Sequence, residues 1–148
     1  MKNIKNKKAY FDYEIIEKYE AGIELFGFEV KSIKKGGISL AGSFGIIKNG
    51  EVFLLNAFVA PYQPQNTPQK YNPLRTRKLL LHKKEIESLI GKSKQKRLTI
   101  VPFSVYTKRG FVKICIVLAK SKKKKDKREK IKERDINREV EREIKGDL

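Results

Sequence analysis

A small antiparallel β-barrel with two short helices and a charged C-terminal extension is the fold this sequence predicts. Two turn signatures flanked by β-rich runs and one long period-two alternation point to the barrel. An abrupt change of composition near residue 120 points to the extension. At 148 residues a single domain is the default.

Residues 1–9 are rich in Lys and Asn and are expected to be mobile. From Tyr13 the chain alternates. Tyr13, Ile15, Tyr19, Ala21, Ile23 and Leu25 take one face, and Asp12, Glu14, Lys18, Glu20 and Glu24 the other, as a strand with one wet face requires. Between Gly27 and Lys35 the period changes, with Val30 and Ile33 three apart, and Gly36-Gly37 ends a short helix. Ser43–Lys48, Asn49-Gly50 and Glu51–Ala60 read as a hairpin, because Asn-Gly supplies the two positive-φ residues of a two-residue turn. The second arm is apolar on both faces (Val52, Leu54, Phe58 against Phe53, Leu55, Val59), so both faces should be covered. Residues 61–73 carry four of the five prolines and form an extended loop. A basic cluster, Arg75, Arg77 and Lys78, leads into Leu79–Leu81. A helix follows from His82 to Ile90, with Gly91 as its stop. Leu98–Tyr106 and Phe111–Ala119 form the second hairpin. A sheet of at least five strands with apolar residues on both faces tends to curl and close.

The two parts differ in what they can bury. Residues 1–119 hold 22 basic and 9 acidic side chains and all 14 aromatics; residues 120–148 hold 13 basic, 8 acidic and only 5 apolar ones. The body (1–119) can therefore bury a core and the tail (120–148) cannot bury one alone. A net charge of +18 puts polyanions first among partners. One cysteine, Cys115, excludes an internal disulfide and fits a reducing compartment. The longest apolar run, Ile114 to Ala119, is too short for a bilayer, so a cytoplasmic protein without a signal peptide or membrane partner is expected.

In the tail, Lys120 to Lys130 holds eight bases against two acids. On a helix beyond residue 127, Lys130, Arg134, Arg138 and Arg142 form a basic ridge, Asp135, Glu139 and Glu143 an acidic stripe, and Ile136, Val140 and Ile144 an apolar one. Like charges four apart disfavour an isolated helix by about 0.2–0.5 kcal/mol each. The apolar stripe offers little area for packing on the body. The tail is thus expected to be disordered when free and helical along a polyanion, the alternative being a merely solubilising extension.

No catalytic set stands out. His82 is the only histidine, Cys115 sits in an apolar strand, and no phosphate loop, metal-ligand spacing or nucleophile elbow occurs. Glu20 and Glu29 suggest a carboxylate pair only superficially; salt bridging suits them better in so basic a chain. The expectation is a protein that is not an enzyme and holds neither cofactor nor metal. Basic residues cluster at Arg75–Lys84, at Lys108, Arg109 and Lys113, and at Lys31, Lys34 and Lys35, while Tyr10, Phe11, Tyr62 and Tyr71 are candidates for base stacking.

Several motifs together resemble the bacterial SmpB family: Tyr19-Glu20-Ala21-Gly22-Ile23, Gly27-Phe28-Glu29-Val30-Lys31-Ser32-Ile33, Glu51-Val52-Phe53-Leu54-Leu55-Asn56 and Pro61-Tyr62. RTRKLLLHKKEI (Arg75–Ile86), Leu98-Thr99-Ile100-Val101-Pro102 and Asp126-Lys127-Arg128-Glu129 continue the match in the family's order. The resemblance implies a closed OB-like barrel and a role in trans-translation, the rescue of stalled ribosomes. A monomer would bind the tRNA-like domain of transfer-messenger RNA and deliver it to the ribosome. Residues of the family's RNA surface map onto Glu20, Leu80, His82 and Lys113. These can respectively accept hydrogen bonds, pack apolar surface, donate or stack, and meet phosphate. Arg75, Arg77 and Lys78 join them as RNA-binding candidates. By the same resemblance Asp126, Lys127 and Arg128 would enter the 16S rRNA decoding centre, and the ridge of Lys130, Arg134, Arg138 and Arg142 would lie in the empty mRNA channel. The family's usual glycine before the tail is Ser121 here, and the tail lacks an aromatic. A generic single-strand-binding or ribosomal barrel protein is the alternative.

Overall fold

Asn49 and Gly50 take φ values of 53° and 73°, and Arg109 and Gly110 values of 52° and 82°. These are the left-handed pairs that let a two-residue turn follow the right-handed twist of its strands. Around them, the computed structural model describes residues 3–63, 65, 67–94, 98–122, 138–140 and 142. In chain order the strands are β1 (Ile4–Lys5), β2 (Tyr13–Ile23), β3 (Ile38–Ser39), β4 (Phe44–Lys48), β5 (Glu51–Leu55), β6 (Phe58–Val59), β7 (Arg77–Leu80), β8 (Leu98–Lys108) and β9 (Phe111–Ser121). The helices are α1 (Lys7–Asp12), α2 (Gly27–Lys34) and α3 (Lys83–Ser93).

The main sheet runs β1-β8-β4-β5-β7-β2-β9, and β8 also pairs β9. Strands β8, β4, β5, β7, β2 and β9 therefore form a ring, which leaves no long open edge. Every registered pairing in it is antiparallel. The thinnest seam joins β4 to β8 at Gly45↔Ile100. A Cβ at Gly45 would lie 2.6 Å from Ile100 Cγ2, so closure there depends on the missing side chain. Tyr19, Ala21, Leu54, Leu79, Ile114 and Leu118 fill the interior, and Ile33 of α2 and Leu89 of α3 join the same core.

Several expectations change. The alternation along β2 breaks at Ile16, an extra residue where the register steps from Ile15↔Ala119 to Glu17↔Leu118. Tyr13 consequently packs outside with Ala119, while Tyr19, Ala21 and Ile23 face inward. Residues 3–9 are not loose. The Asn6 side chain donates to Pro102 O at 2.9 Å and Leu40 O at 3.2 Å, and its Oδ1 accepts from the Ala9 amide, starting α1. The outer face of β8–β9 gains Ala9 as its cover. β5 stops at Leu55, because Asn56 takes φ 62°. Val59 then turns into the core and Phe58 stays 42% exposed. α3 runs past Gly91 to Ser93.

Of the tail, Lys120 and Ser121 complete β9, and the Lys122 amide donates to Asp12 O at 3.0 Å. Arg138, Glu139, Val140 and Arg142 are helical, and Val140 is buried against Phe53 and Leu55. At these residues the tail is packed rather than disordered. Among the described tail residues Val140 makes the apolar contact, and the outer face of β4–β5 that receives it is itself apolar. Asp126, Lys127, Arg128, Lys130 and Arg134 lie outside the described residues.

Candidate nucleic-acid interface

Three adjacent strands build the site by register alone. Gly22 of β2 pairs Leu80 of β7 on one side and Lys113 of β9 on the other. Their chain neighbours Ala21, Leu79 and Ile114 are inside the barrel, so Gly22, Leu80 and Lys113 share the outer surface, as does Glu20 two residues earlier. His82, two residues beyond Leu80, precedes α3. Its backbone N–H donates to Glu85 Oε1 at 3.1 Å, which secures the start of that helix.

Glu20, Leu80, His82 and Lys113 thus converge on one open groove of about 570 Å³, rimmed by Lys78, Glu51 and Gly50. Gly22 forms part of the floor. A Cβ there would press on Leu80 Cβ at 3.2 Å. Leu80 is 49% exposed and so able to pack against a base or ribose. The Tyr106 hydroxyl donates to Glu20 Oε2 at 2.8 Å, and Lys108 Nζ approaches Oε1 at 3.3 Å. Tyr106 is the chief reason that the Glu20 carboxyl sits below the usual glutamate range, with Lys108 and Lys113 adding to it. Glu20 is thereby kept ionised and oriented as an acceptor. Lys78 at the rim bonds Glu51 at 3.0 Å. An acceptor, an apolar knob, an imidazole and ammonium groups in a shallow groove suit a folded nucleic acid with exposed ribose and phosphate.

The basic cluster divides. Arg77 was expected on the RNA surface, but its side chain is wholly enclosed and donates to Glu29 Oε2 from Nε at 2.8 Å and Nη2 at 2.6 Å. Its Nη1 reaches Ala57 O at 2.8 Å, so no part of the guanidinium is offered to a ligand. The reason is electrostatic: Glu29 is itself fully buried and requires a partner. Arg75 bonds the same carboxylate through Nε at 3.2 Å and lies over the Phe26 ring at 4.2 Å, keeping 24% of its side chain exposed. Lys78 alone of the three reaches the groove.

Glu29 is structural, as its salt bridges require. Burial alone would raise its carboxyl. The Arg75 hydrogen bond, the Phe26 amide and Arg77 outweigh burial and hold it below the ordinary value. Tyr71, a stacking candidate by sequence, is absorbed by the same network. Its hydroxyl donates toward Glu29 at 2.8 Å and Val59 O at 3.0 Å, and burial with Glu29 nearby pushes its pKa up to about 12. Tyr10 packs its ring on Phe103, and Lys35 lies over Tyr62 at 5.1 Å. Phe11 is 83% exposed. Tyr106 and Lys108 were not singled out beside Glu20, because the contact spans more than eighty residues of sequence. Arg138 and Arg142, the described members of the tail's ridge, are exposed.

Residues 3–146 match the SmpB protein family. An SsrA-binding protein of Sulfurihydrogenibium sp. (strain YO3AOP1) is 54% identical over 143 residues, covering 97% of this chain and 93% of the relative. That of Thermosipho africanus (strain TCF52B) is 56% identical over 136 residues, covering 91% of each. Among solved structures, a chain from "tmRNA-SmpB: a journey to the center of the bacterial ribosome" superposes with a TM-score of 0.68 at 43% identity. The match covers 93% of this chain and 96% of that one. On a family match over nearly its whole length and relatives more than half identical, the chain belongs to the SmpB family.

Proposed function

We propose that this protein is the RNA-binding adaptor of trans-translation. It binds the tRNA-like domain of transfer-messenger RNA and carries that RNA to ribosomes stalled without a stop codon. The observation that carries the reading is the convergence of Glu20, Leu80, His82 and Lys113 on one groove of the barrel wall. The names of the relatives support it, since they read SsrA-binding protein and, for the solved structure, tmRNA-SmpB and the bacterial ribosome. In this reading the groove holds the folded RNA and the tail serves the ribosome. Asp126, Lys127 and Arg128 go to the decoding centre, and the ridge of Lys130, Arg134, Arg138 and Arg142 goes to the empty mRNA channel. The protein acts as a monomer in the cytoplasm, where ribosomes are.

Titrating the full chain against the isolated tRNA-like domain and an unstructured RNA of equal length tests the proposal. A preference of at least about tenfold for the folded RNA is expected at physiological salt. Equal affinity for both would assign the barrel to generic single-strand binding instead.

A further inference from the structure

β5 is apolar on both faces, and its outer face is covered by the far end of the same chain. Phe53 and Leu55 point away from the barrel core, yet they are only 8% and 3% exposed. Val140, 2% exposed, packs on them, with Phe44 and Ile46 at the margin. Arg138, Glu139 and Arg142 of the same helical segment are all exposed. Among the described residues of the segment, Val140 makes the apolar contact and the three charged residues face solvent.

We propose that the outer face of β4–β5 is a docking site for the chain's own tail segment around Val140, and that docked and released forms exchange during function. This rests on the tail's proposed place in the mRNA channel, because a helix enclosed by a channel cannot keep Val140 on Phe53 and Leu55. A ligand shifts such an equilibrium only through different affinities for the two forms. An RNA that touches Arg138 and Arg142 from outside finds them exposed in the docked form and does not favour release. A channel that surrounds the helix needs the valine side as well, and does favour it. Docking therefore makes the tail selective for an enclosing site over casual polyanions. The burial of Val140 contributes roughly tenfold to a hundredfold toward docking before the cost of ordering the segment, a size compatible with exchange.

A reversible lock tests this in the full chain. In a Cys115→Ser background, Leu55→Cys with Val140→Cys is expected to form a disulfide on oxidation. The oxidised protein should bind the tRNA-like RNA within about twofold of wild type, yet tag chains on stalled ribosomes at least about tenfold more slowly, with recovery on reduction. Failure of the disulfide to form, or full tagging by the oxidised protein, would overturn the proposal. Val140→Ser, which leaves the barrel intact, should raise the fluorescence of an apolar dye several-fold by uncovering Phe53 and Leu55; unchanged fluorescence would equally overturn it. If wild type fails to bind the tRNA-like RNA, the functional reading falls, whereas disulfide formation and the dye result judge docking alone.

Discussion

Glu29 and Arg77 face each other with both side chains wholly enclosed, Oε2 and Nη2 being 2.6 Å apart. The pair ties α2 to β7 and, through Tyr71, holds the proline-rich loop against the barrel. Its importance lies in satisfaction rather than strength, since each ion would be costly to leave alone in the interior.

Glu29→Gln is expected to destabilise the protein by about 3–5 kcal/mol, because it strands a buried guanidinium. Urea unfolding measures it. Acid dependence follows from the lowered Glu29 carboxyl. The folded state binds fewer protons there than the unfolded state, so the stabilisation is present above the ordinary glutamate range. It is lost as pH falls through that range and on through the lower folded value. Wild-type stability should decline over that window, and Glu29→Gln should flatten the decline.

Gly45→Val should cost about 1–3 kcal/mol, since even its Cβ meets Ile100 Cγ2 at 2.6 Å on the closing seam. Adding Ile100→Ala should recover part of that cost through the shared space. Additive losses in a double-mutant cycle would mean that the two side chains do not compete.

Lys113→Ala should weaken binding to the tRNA-like RNA and lower the salt slope by roughly 0.7–0.9, the signature of one lost phosphate contact. Leu80→Ala should also weaken binding while leaving that slope unchanged. Its half-exposed side chain predicts little loss of stability. Binding isotherms at several salt concentrations, with a melting curve for each variant, separate these effects.

Tyr106→Phe removes the donor that most strongly lowers the Glu20 carboxyl. The Glu20 titration, followed by carboxyl NMR, should move toward the ordinary glutamate value. RNA affinity should fall on acidification sooner than in wild type. A Glu20 titration unmoved by the substitution would assign its shift to Lys108 and Lys113.

Where the chain encodes structure locally, the sequence was readable. Asn49-Gly50 and Arg109-Gly110 mark the hairpin turns, and the β-rich runs on either side supply the paired strands. The Ile16 bulge was not readable, because an extra residue in a ladder is defined only against its partner strand. Nor was the burial of Arg77. Its neighbours suggested a basic surface, but Glu29, 48 residues away, decides where it sits.

The groove divides in the same way. Motif resemblance singled out Glu20, Leu80, His82 and Lys113, and their convergence came from β2 pairing both β7 and β9. The double apolar face of β5 already required an outer cover, and only the folded chain names Val140 as that cover. By itself the sequence determined the turns, the strand periods, the basic balance and the compositional break before the tail, since each depends on neighbouring residues or simple sums. Tertiary structure decided which charges are buried, which face each side of the bulge presents and what the tail rests on. Those are matters of long-range pairing, where burial and partner choice outweigh what any single residue prefers.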